Sequence, residues 1–306
     1  MRKQKTSKRS LNRKLLFSTL LVTLFLVFVL IALFAFFLPQ TEDWTAAIVD
    51  QLTIEVEVNQ EFNSTISSLL NASGFDVHYY PGADVTVDFY KSLPSKGSKI
   101  IILRAHSAVR NNTDFVDLFT SELYSESKRD FYSAKYGNQL SRARFLIPPF
   151  NDYFAVGPTF IESSMKGTFS DCIIILMGCE SLNKTSMAEA LVNRGAKAVL
   201  GWTDWILLDD TDNSTIQLLR YLLAQNPFTL QSAVAEINKL SHPYGAKLEF
   251  YPKTDQIRNY KIPTRKDVTS LSLLNNSLQR ILLVPLIKGE LADQIVFKSK
   301  LKTQYP

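Results

Sequence analysis

Three runs in this chain are apolar without a break, at residues 100–103, 173–176 and 198–200. A strand with one wet face alternates apolar and polar residues. A strand buried on both faces does not, and such strands belong to parallel sheets covered by helices. The segments around these runs fit that plan. Phe62, Ile66, Leu69 and Leu70 recur at helical spacing, and Gly74 follows as a stop. The same reading predicts strands at 44–52, 75–80, 99–105, 172–178, 196–202 and 246–252. It predicts helices at 58–72, 85–94, 157–167, 183–195, 213–224 and 229–241. The expected class is therefore α/β with a mostly parallel central sheet. Residues 108–156 read as an insert of hairpins and loops directly after one strand, a place where long inserts are more often functional than decorative.

Two of the runs end in chemically active residues. "IIILRAHSA" (100–108) closes on His106, and "CIIILMGCES" (172–181) closes on Cys179. Parallel strands bring their C-terminal ends to one edge, where open α/β sheets bind ligands. If the two strands are neighbours, about 4.8 Å apart, an imidazole and a thiol share that edge. Histidine promotes the thiolate, the nucleophilic form, and can protonate a leaving amine. Cys172 opens the run that Cys179 closes, at a strand spacing of about 23 Å, too far for a disulfide. It is read as a packing residue. His78 and His242 are read as structural or exposed. Three His and two Cys match no zinc spacing, and there is no G-x-S-x-G elbow or phosphate loop. No metal or cofactor is expected.

Charge is unevenly placed. Of the 34 Lys and Arg, seven lie in residues 1–14, so the rest of the chain carries 27 against 29 Asp and Glu. The main body is nearly neutral, which argues against a nucleic-acid partner. Residues 15–38 form 24 uncharged, mostly apolar positions, enough for a helix to cross a bilayer core, and no cleavage site follows. The expected layout is a basic cytoplasmic tail (1–14), a transmembrane anchor (15–38) and an extracytoplasmic domain (39–253), by the positive-inside rule. Residues 254–306 are expected to be an extension of unassigned structure. Six Asn-x-Ser/Thr acceptors lie beyond the anchor, at Asn63, Asn71, Asn111, Asn183, Asn213 and Asn275; chance gives about three.

The residues around the two strand ends resemble the caspase-like fold of cysteine peptidases, the group that includes caspases, legumain, gingipain and the CHAT domains. There the histidine follows the third strand, usually as His-Gly, and the cysteine follows the fourth, often as Ala-Cys-Glu-Ser. Here "LRAHSA" and "MGCESL" stand in those places, and "SMAEALVNRGAKAVLGWTDW" (186–205) is similar to the helix–strand unit after the cysteine in CHAT domains. The resemblance covers roughly residues 44–252. It implies a caspase-like three-layer sandwich, His106 as general acid/base, Cys179 as nucleophile, and an oxyanion hole from the N–H groups of Cys179 and Ser107. Ser107 and Met177-Gly178 depart from the usual residues. Glu180, Trp202 and Asp204 would stand near the substrate pocket. With Asp209 and Asp210, Asp204 could favour Arg or Lys before the scissile bond, or these could be solvated loop carboxylates.

Two functions follow as expectations. One is a membrane-anchored cysteine endopeptidase acting on protein or peptide outside the cell. The other is a non-catalytic module of the same fold that binds a partner at the cell surface.

Overall fold

In the computed structural model the described residues are 25, 27–29, 44–145 and 150–265. The chain divides into two compact units, 1–42 and 43–306. The expected anchor lies outside the described residues but for those first four positions. No helix among the described residues is long and apolar enough to cross a membrane.

The larger unit is built on a six-stranded sheet. Its strands are β1 (Thr45–Asp50), β2 (Asp76–Pro81), β3 (Ile100–Arg104), β8 (Cys172–Leu176), β9 (Ala196–Trp202) and β10 (Leu248–Tyr251), in the order β10-β9-β8-β3-β1-β2. All neighbours are parallel except β10, which runs antiparallel to β9. The uninterrupted apolar runs are the central strands, as their composition requires: β3 and β8 are buried at every position. Alternate residues feed two cores. Ile101, Leu103, Ile174 and Leu176 face one, which also takes in helices α2 (Val87–Ser92), α4 (Pro158–Ser164) and α5 (Ser186–Asn193). Ile100, Ile102, Ile173 and Ile175 face the other, with α1 (Gln60–Ala72), α6 (Leu208–Leu222), α7 (Leu230–Ile237) and α8 (Asp255–Arg258).

The segment after His106 contains the expected hairpins, joined into one sheet and carrying a helix that the sequence reading lacks. It forms a four-stranded antiparallel sheet of β4 (Ser107–Val109), β5 (Val116–Leu123), β6 (Leu140–Arg144) and β7 (Asp152–Val156), in the order β4-β5-β7-β6, with helix α3 (Glu126–Tyr136) inserted. Helix α3 buries only Tyr132 and Tyr136, a one-turn pair too sparse to read as an amphipathic stripe. The domain also continues past residue 253. Ile257 and Ile262 are buried in the second core, and Leu230 N–H donates to Tyr260 O, which ties 255–262 to α7.

Candidate active site

The register of the two central strands aligns the two candidate residues. β3 and β8 pair in parallel with Leu103 opposite Leu176. His106 and Cys179 each lie three residues further on, at the same level of the same sheet edge. The segments touch there. Ser107 Oγ donates to the Cys179 carbonyl at 2.6 Å. A Cβ on Gly178 would come within 2.3 Å of Ser107 Oγ and 2.4 Å of the Ala105 carbonyl, so only glycine allows this approach. Gly178→Ala is therefore expected to push the two strand ends apart, at about 1–3 kcal/mol, with loss of the Ser107–Cys179 bond; a urea melt and the amide-exchange rate of Met177, whose N–H donates to Leu103 O between the two strands, would report it. An unchanged melt would mean the strand ends are not held this tightly.

Ser107 stands in extended β4, outside the positive-φ residues of the described chain, so serine fits where the resemblance has glycine. Phe119 N–H donates to His106 O and Arg110 N–H to Phe115 O. Bonded and non-bonded pairs alternate in an antiparallel ladder, so Ser107, opposite Leu118, turns its N–H away from β5, with its nitrogen 2.8 Å from where a Cβ on Gly178 would stand. That N–H and the one on Cys179 are the two oxyanion donors expected from sequence. Glu180 then takes a positive φ of 53°, and its N–H donates to Asp204 O. A left-handed backbone at a residue with a side chain carries a strain cost of order 1 kcal/mol.

The imidazole and thiol are not hydrogen-bonded to each other among the described residues. The His106 ring lies against Phe145 (centroids 4.3 Å) and Phe119 (5.8 Å). The Cys179 thiol meets both backbone groups of Ile206, at 3.5 Å each. Burial, and then the Arg104 guanidinium, push His106 down to about 4. Burial also holds the Cys179 thiol above its usual value; Glu180 and Asp204 add to this and the Ile206 contact opposes it. At neutral pH the pair rests as neutral imidazole and neutral thiol, so the proton must move during attack rather than before it.

The neutral imidazole has a linked stability effect. The unfolded chain binds a proton near pH 6.5 that the folded chain refuses until about pH 4. His106 thus contributes stability that is present above about 6.5 and is lost as pH falls toward 4, by about 3 kcal/mol at 1.36 kcal/mol per unit. Urea midpoints between pH 7 and pH 4 should fall more steeply for the wild type than for His106→Gln. Parallel curves would contradict the burial argument.

Residues invisible as a group in the sequence hold both strand ends. Arg104, two positions before His106, is 1% exposed and forms ion pairs with Asp50 (2.8 Å) and Asp212 (2.9 Å). Tyr79 OH donates to Asp50, and Asn59 Nδ2 to Asp212. Thr211, beside Asp212 on the first turns of α6, donates to the Met177 carbonyl (3.0 Å), two positions before Cys179, and accepts from Trp202 Nε1. One helix end therefore fixes both edges. Gln51 completes the frame: its side chain accepts from His106 N–H at 3.0 Å. The signal was a lone arginine closing an apolar run, since a charge there needs a buried partner.

The expected pocket residues divide. Glu180 and Asp204 are at the edge, but the Asp204 carboxylate accepts from Trp205 N–H and closes its own loop. Trp202 is a correction: it is 1% exposed, with its indole N–H on Thr211 and its ring edge-on to His242, so it belongs to the core. The next residues replace it at the surface. Trp205 and Leu207, on either side of Ile206, are about half exposed, and Trp205 lies 6.4 Å from the exposed ring of Tyr244. Cys172 is fully buried at the far end of β8. His78 is exposed, and His242 is buried with neither ring nitrogen hydrogen-bonded. Among the described residues no His/Cys/Asp/Glu cluster could hold a metal. No protein-family model matches this chain, and no curated protein matches it.

Proposed function

We propose that the chain is a membrane-anchored cysteine endopeptidase of caspase-like fold, working outside the cell with His106 and Cys179 as its dyad. The observation that carries this reading is the shared register. The two residues stand three positions beyond the Leu103–Leu176 pair on adjacent parallel strands, with a direct contact between their segments. The single antiparallel edge strand and helices on both faces are consistent with a three-layer sandwich.

In this mechanism a peptide carbonyl enters between the imidazole and the thiol. Cys179 Sγ attacks the carbonyl carbon while its proton passes to His106. The oxyanion is held by the N–H groups of Cys179 and Ser107. His106 returns the proton to the leaving amine, and water then hydrolyses the thioester with His106 as base. Trp205, Leu207 and Tyr244, exposed beside Ile206, offer an apolar side chain a footing near the scissile bond. The test is hydrolysis of a peptide library by the purified full chain. Cleavage that disappears in Cys179→Ser supports the reading; no cleavage in the wild type removes it.

The second reading, a non-catalytic module binding a partner at the same edge, is favoured by one observation. The thiol is engaged by Ile206 and not by the imidazole. Apolar exposed residues at that edge would then be the partner's footing.

A further inference from the structure

The five Asn-x-Ser/Thr acceptors among the described residues differ sharply in how they are presented. Asn63 lies within α1 with its Oδ1 buried. Asn71 lies in the last turn of α1, and its Ser73 is buried with the hydroxyl donating to Leu69 O. Asn213 lies within α6, and its Thr215 is only 3% exposed. On a helix, residues i and i+2 do not share a face, so no single cleft can grasp both groups at these three sites. Asn183 and its Thr185 are exposed in and beside a turn, but both groups are engaged: the Asn183 amide donates to Thr203 O at 2.8 Å and the Thr185 hydroxyl to Glu189 at 2.6 Å. Asn111 is different. It opens the tip of the β4–β5 hairpin, where Asn111, Asn112 and Thr113 are all exposed. Asn112 has a positive φ of 59°, Thr113 Oγ1 donates back to Arg110 O, and no hydrogen bond of the described residues uses the Asn111 amide.

We propose that Asn111 is an N-glycosylation site of the folded domain, and that Asn63, Asn71, Asn183 and Asn213 are not. The proposal rests on the reading that this domain is exported, and is independent of the peptidase reading. The donor is an oligosaccharide linked to a polyprenyl diphosphate. Its C1–O bond to the diphosphate breaks, a C1–N bond to Asn111 Nδ2 forms, the amide loses one proton, and polyprenyl diphosphate leaves. Electrons balance without an oxidant. A hairpin tip suits the product, since a bulky, solubilising group must stand in water.

The experiment uses the folded full chain in detergent, a purified oligosaccharyltransferase and its lipid-linked oligosaccharide, with occupancy of each asparagine read by peptide mass spectrometry. Synthetic peptides spanning the same five acceptors are the unfolded control. The expected result is occupancy at Asn111 at least about tenfold above the other four in the folded chain, lost in Asn111→Gln, and comparable occupancy across the peptides. Equal occupancy at the helical acceptors, or an unmodified Asn111 in the folded chain beside a modified Asn111 peptide, would overturn it.

Discussion

Arg104→Ala should be the most damaging single substitution in the domain for stability. The change leaves Asp50 and Asp212, both almost wholly buried, facing each other without their cation. Removing one partner of a buried ion pair costs about 3–5 kcal/mol, because the charge left behind is desolvated and unpaired. For a domain of this size that is a fall in melting temperature of roughly 10 °C, at 2–4 °C per kcal/mol. Burial already pushes the Asp50 carboxyl above its usual value despite the pull of Arg104, so losing the guanidinium should drive a proton onto this pair. The contrast is Arg104→Met combined with Asp50→Asn and Asp212→Asn. Removing all the charges together should recover a substantial part of the loss, since the triad's own net contribution is small. A calorimetric melt of the wild type, the single and the triple variant decides this. A triple variant no better than Arg104→Ala would mean that the charges are not the source of the cost.

Cys179→Ala is expected to abolish peptide hydrolysis, with a loss of at least about 10³-fold, and His106→Ala nearly as much. The two losses should not add, because residues that act as one unit fail together. Cys172→Ala is the internal control. Cys172 is fully buried, and burial holds its thiol well above the ordinary range, so its loss should leave turnover intact and lower stability through the small cavity it creates. Steady-state kinetics on one cleaved peptide, with melts of each variant, separates the two roles. Equal losses at Cys172 and Cys179 would point to folding rather than chemistry.

The sheet was legible because burial on both faces writes itself into composition. Residues 100–103 and 173–176 cannot be anything wet, and their ends fell within two residues of the observed strands. The site was legible to the extent that it sits on those ends. What holds it was not. Arg104 meets Asp50 across 54 positions and Asp212 across 108, and no periodicity encodes such pairs. Trp202 was not legible as a core residue: a large aromatic at a strand end can face the pocket or the core, and only the Thr211 hydroxyl on α6 decides it. Helix α3 was missed because two buried tyrosines do not make a stripe. The packing of 255–262 was missed because Ile257 and Ile262 sit in a short, polar stretch with no helix-length pattern.

The most direct test of the central claim is the alkylation rate of Cys179 in the folded full chain, measured with iodoacetamide across pH 5 to 9 in the wild type and in His106→Gln, with Cys172→Ala as background so that one thiol is counted. If His106 serves as the base, the wild type reacts near neutral pH and His106→Gln slows at least about tenfold there, with the two rates converging at high pH where the thiolate forms unaided. If the two rates coincide at every pH, His106 and Cys179 do not act together, and the dyad is contradicted.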